Sequence, residues 1–254
     1  MISFPLIDLP LFYALAIPAV LLVGITKTGV GGSNVLGVSL MSFAVSVPQA
    51  TAILLPILCL TDLAGVWLFR RSWDARNLRV ILPGAVAGIV VGTLTFSYLD
   101  SGSVKTVVGV IAVWFAVAQF VPLIRKREVA ARKADVPRGL FWSTVAGFTS
   151  FVAHAGQPPL SIYLIPQRMA KETYLGTNAI FWAFANYLKL VPFWYLGQLN
   201  ATNVATSIAM MPLIPVGLAI GWWIQKSLSP VMFYKVVLVL LGATGAKLIW
   251  DGVF

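Results

Sequence analysis

The sequence predicts an all-α membrane protein made of two inverted repeats, each a glycine-broken helical hairpin plus three transmembrane helices. Three observations carry this expectation. Of 254 residues, 59% are hydrophobic and only 10% are charged, whereas a soluble domain carries about a quarter charged residues. The apolar runs are long and continuous, such as Ala50 to Leu60 and Val104 to Val121; a transmembrane barrel would instead alternate in segments of about ten residues. Motifs of the first half also recur, in order, in the second.

Leu9 to Ile25 is the first apolar run, long enough to span a bilayer or nearly so. The stretch Gly24 to Asn34 interrupts it with glycines, Lys27, Thr28 and Ser33, and Val30 to Val45 then runs to Pro48. Gln49 to Phe69 is a clear span that carries a lone carboxylate, Asp62, and is stopped by Arg70 and Arg71. Val80 to Leu99 follows, with Gly84, Gly88 and Gly92 spaced by four, which lays a smooth stripe along a helix for close packing. Val104 to Ile124 spans again and ends in Arg125, Lys126 and Arg127. In the second half, Leu140 to Ala153 is broken by His154-Ala155-Gly156-Gln157-Pro158-Pro159, whose prolines are expected to stop the helix. Leu160 to Ile165 is too short to span, and Thr173 to Leu196, Val204 to Ile224 and Val231 to Trp250 complete the set. The chain so divides into a first repeat over 1–124, a basic linker over 125–138 and a second repeat over 139–254.

The internal match rests on order. Gly24 and Gly147 each open a broken helix in this reading, and Gly31-Gly32 falls opposite Ala155-Gly156. Asp62 falls opposite Asn186, and Pro83, Gly88 and Gly92 match Pro212, Gly217 and Gly221 at one offset. The net charge of +10 sits in short loops between apolar runs. That is the pattern of cytoplasmic loops, not of a nucleic-acid surface. Placing Arg70 to Arg79, Arg125 to Arg138, Arg168, Lys171 and Lys226 inside puts the two hairpins on opposite faces and both termini outside. A multi-pass protein of the cell membrane is expected, with no cleavable leader at its start. One cysteine, Cys59, and one histidine, His154, cannot supply a metal site, and no cofactor is expected. No phosphate-binding Gly-x-x-x-x-Gly-Lys-Ser/Thr loop is present, and no catalytic spacing points to an enzyme.

Polar groups at membrane depth line a cavity or a substrate path. A broken helix frees backbone N–H groups at the start of the next helix, where the local dipole favours an anion. Lys27, Thr28, Gly31, Gly32, Ser33 and Asn34 are therefore candidate substrate contacts, or else a tight turn with Lys27 reaching an interface. His154, Gly156 and Gln157 are their counterparts, with Asn178, Asn186 and Lys189 on the following span. Asn186 and Lys189 share a helix face. Asp62 is either a proton-coupling acid, with His154 as a second proton carrier, or one half of a structural pair with a lysine such as Lys27. These features point to a secondary transporter of a small anion; a passive anion channel is the alternative.

The motifs Gly29-Val30-Gly31-Gly32-Ser33-Asn34 and Pro48-Gln49-Ala50-Thr51-Ala52, with the later His154 to Pro159 and Gly176-Thr177, resemble the TauE/SafE family of membrane permeases. The resemblance covers essentially the whole chain. It implies transport of a sulfur oxyanion or organosulfonate. Asn34 stands where many members keep a small residue, and His154 and Gln157 fall in a variable part of the second motif, so the particular substrate does not carry over.

Overall fold

The computed structural model describes residues 6–7, 9–28, 34–98, 101–124 and 131–253. It contains no strand among these residues. The helices are α1 (Pro10–Thr28), α2 (Asn34–Met41), α3 (Val47–Leu68), α4 (Ala75–Thr95), α5 (Ser101–Ile124), α6 (Val136–Ala153), α7 (Gln157–Leu164), α8 (Lys171–Tyr195), α9 (Ala201–Met210), α10 (Ile214–Ser227) and α11 (Pro230–Val253). Four stretches among the described residues are long and apolar enough to cross a membrane: Val47–Leu68, Ala75–Thr95, Ala201–Ile224 and Lys235–Val253. Helix α8 has 25 residues but carries a polar stripe. Large apolar side chains lie exposed along the outer helices, among them Leu94, Trp114, Val191, Trp194, Trp223 and Val239. A water-soluble monomer does not present so much apolar surface; a lipid-facing one does.

Two short helices double back. Helix α2 lies along α1, with Gly37 facing Ala19 and Val23. Helix α7 lies along α6, with Tyr163 beside Gly139. The long helices pair α1 with α10, α4 with α6, α5 with α11 and α3 with α8. The α4–α6 contact uses the expected glycine stripe: a Cβ on Gly88 would stand 2.6 Å from the backbone nitrogen of Phe148. The same close approach explains a correction. Gly24 and Gly147 do not open the breaks. Helix α1 runs on through Gly24 to Thr28, and α6 through Gly147 to Ala153. Both glycines are packing positions, Gly24 against Gly217 of α10 and Gly147 against Ala85 of α4.

The ends of the helices are set by caps. Ser46, Asp74, Asp135 and Asn200 each accept a backbone N–H three residues on, which satisfies a donor the helix leaves free. Asp74 thereby starts α4 at Ala75, five residues before the apolar run. The expected span Val204 to Ile224 is divided by a 3-10 turn at Met211–Leu213, because Pro212 and Pro215 supply no N–H to continue the α ladder. The described parts of the basic loops gather at one end of the bundle. There Asn77 and Gln167 exchange amide bonds, the Arg132 N–H donates to Pro166 O, and Lys171 donates to Leu228 O. At the other end Gln49 donates to Asn203 at 3.2 Å.

Candidate functional site

The end of α1 and the turn after α6 lie against α3 and α8, the pair at the middle of the bundle. Lys27 stands in the last turn of α1, inside the helix and not in the loop after it. Its ammonium pairs with Asp62 of α3, both side chains nearly inaccessible. Asn186 of α8 donates to the other Asp62 oxygen at 2.6 Å. Of the two readings open for Asp62 in the sequence, the pair with Lys27 is present in the structure. Gly31, Gly32 and Ser33 lie outside the described residues, as do the side chains of Thr28 and Asn34.

One turn further along α8, Lys189 is fully buried. Its ammonium donates to Ser150 Oγ at 2.9 Å and Ser150 O at 3.2 Å, and it meets His154 Nδ1 at 2.9 Å. Three acceptors for three N–H bonds replace the water this group gave up. His154 Nε2 lies 3.1 Å from the carbonyl oxygen of Thr51. A carbonyl only accepts, so Nε2 carries hydrogen. One hydrogen then lies between Nδ1 and Lys189.

The chain reverses at His154 by taking left-handed backbone angles, φ 51°. The Ala155 N–H closes the turn on Thr149 O at 3.1 Å, a six-residue loop of the kind that ends many helices. Pro158 and Pro159 do not stop α6, as the sequence suggested; they occupy the first turn of α7, where a missing N–H costs nothing.

Gln157 and Asn178 form a second network. Gln157 Nε2 donates to Ser161 Oγ at 3.1 Å and Asn178 Oδ1 at 3.1 Å, and its Oε1 accepts from Trp182 Nε1 at 2.7 Å. Gly156 lets the start of α7 sit under Trp182, since a Cβ there would stand 2.5 Å from the indole ring. Asn178, Trp182, Asn186 and Lys189 thus follow one buried stripe along α8. Three of these four were named from the sequence. Trp182, Ser150 and the Thr51 carbonyl were not. The spacing of Ser150 four residues before His154, and a tryptophan in mid-span instead of at an end, are the signals that mark them.

Interrupted helices meeting around a buried charged cluster, inside a lipid-facing bundle, define a polytopic membrane protein with a polar centre. A family model described as "Sulfite exporter TauE/SafE" matches residues 16–248, and the chain belongs to that family. The family is one of membrane transporters for sulfite and related sulfur anions. Searches of curated proteins and of solved structures return no match.

Proposed function

We propose that this chain is a secondary transporter that carries a small sulfur oxyanion or organosulfonate across the cytoplasmic membrane. The observation that carries the reading is the charge of the buried cluster. Lys27 and Asp62 cancel, while Lys189 is held by neutral acceptors. Among the described residues no carboxylate lies within ion-pair distance of Lys189, at the centre of an apolar bundle where an uncompensated charge costs several kcal/mol. An anionic cargo supplies the missing partner. Lys189, Lys27 and Asn186 would contact it, with donors from Thr28, Gly31, Gly32, Ser33 and Asn34 of the first break. His154, Gly156, Gln157 and Asn178 would form the opposite wall.

The exchanged helix pairing, α1 on α10 and α6 on α4, supports two inverted repeats as the architecture. Alternating access would come from one repeat rocking against the other around the α3–α8 pair. The clustering of the basic loops at one end supports that end as cytoplasmic. Asp62 and His154 are the residues through which coupling to protons would act. The test is counterflow in proteoliposomes: labelled sulfite should accumulate against preloaded sulfonate and saturate. Flux without saturation or counterflow would refute the carrier. Uptake by the wild type should depend on pH and that of Asp62→Asn should not; unchanged dependence in the variant removes the coupling role of Asp62.

A further inference from the structure

The charge of the cluster bears on which form of the cargo it takes. Each element around it contributes a known set of charges. Helix α1 brings Lys27, α3 brings Asp62 and the thiol of Cys59, α6 brings His154 and α8 brings Lys189. Helices α2, α7 and α9 carry no charged residue; Arg138, Lys171 and Glu172 lie in the first turns of α6 and α8, α5 brings Lys105 near its start, and α11 brings Lys235 and the Lys247–Asp251 pair. The charged groups of α4 and α10, Arg76, Arg79 and Lys226, are exposed at the helix ends.

We infer, resting on the anion-transport reading above, that the site accepts one net negative charge. A monoanion such as a sulfonate or hydrogensulfite binds as it is; a dianion binds only together with a proton. A second negative charge would stay uncompensated among groups as buried as Lys189 and Asp62, and at an effective dielectric of about 20 an unbalanced unit charge a few ångströms away is worth several kcal/mol. Taking up a proton on the cluster removes that imbalance. This links dianion affinity to pH, by a factor of ten per unit. A permanent monoanion has no such link.

The experiment measures binding of methanesulfonate, always singly charged, and sulfate, always doubly charged, to the purified full chain in detergent at pH 6, 7 and 8. Methanesulfonate affinity should stay level. Sulfate should bind more weakly at pH 8, by about tenfold or more, and strengthen toward pH 6, or should not bind at all. Asp62→Asn, which leaves two uncompensated cations, should shift preference toward sulfate by about tenfold or more and flatten its pH dependence. Sulfate binding as tightly as methanesulfonate and level with pH in the wild type overturns the single-charge inference and leaves anion transport standing. Binding of neither, nor of sulfite, overturns both. Should Asp62→Asn fail to fold, the wild-type series decides alone.

Discussion

Asn186 Nδ2 lies 2.6 Å from Asp62 Oδ2, a bond across 124 positions of the chain. The same carboxylate holds Lys27 through its other oxygen. One buried acid therefore ties together the last turn of α1, α3 and α8.

That arrangement sets the first prediction. Asp62→Ala leaves Lys27 buried without its counter-charge, which should cost about 3–5 kcal/mol of stability. Adding Lys27→Met to it should recover much of the loss, because the orphaned charge is then gone. Thermal melts of the two variants in detergent check this; a double variant no better than the single one refutes it.

His154 holds a left-handed backbone that β-carbon-bearing residues adopt at a cost of about 1–2 kcal/mol, and its ring clamps Lys189. His154→Gly relieves the first while losing the second; His154→Ala loses the second and keeps the strain. The glycine variant should therefore melt above the alanine variant, by about 1 kcal/mol. Equal melting temperatures would show that the turn is not strained.

Gln157→Leu strands the buried Trp182 N–H, at about 1–3 kcal/mol. Trp182→Phe in the same protein removes the stranded donor and should restore most of the stability. The four proteins of this double-mutant cycle, compared by denaturation, give the coupling directly; additive losses would contradict the observed bond.

Gly24 meets Gly217 so closely that a Cβ would stand 2.8 Å from its Cα. Gly24→Val should cost about 1–3 kcal/mol through overpacking and lower the folded yield. The glycine to valine change at Gly197, where a Cβ meets open space, tests the other glycine cost: φ +68° makes it a backbone penalty and not a packing one. Gly197→Asn should be tolerated and Gly197→Val should not.

Much of this was legible in the sequence because membrane depth makes polar residues conspicuous. Asp62, Asn186 and Lys189 stand out from apolar text, and all three meet in the cluster. The pairing of Asp62 with Lys27 was one of two options the composition allowed. What the sequence left hidden is what depends on backbone atoms and approach distances. The Thr51 carbonyl that orients His154 has no side-chain signature. Nor do Gly24 and Gly147 announce whether they break a helix or pack against one; periodicity treats a glycine alike in both roles. The prolines after His154 misled for a related reason: proline ends one helix and begins another with the same ring.

The pairing of α1 with α10 also has a consequence for synthesis. Gly24 finds Gly217 only after about 190 more residues have left the ribosome, which at about 5–20 residues per second takes roughly 10–40 s. Through that interval the glycine face of α1 has no α10 to pack against, while Asp62, 35 residues after Lys27, is already made. The Lys27–Asp62 pair needs only α1 and α3, so its partners are both made long before the α1–α10 contact can form.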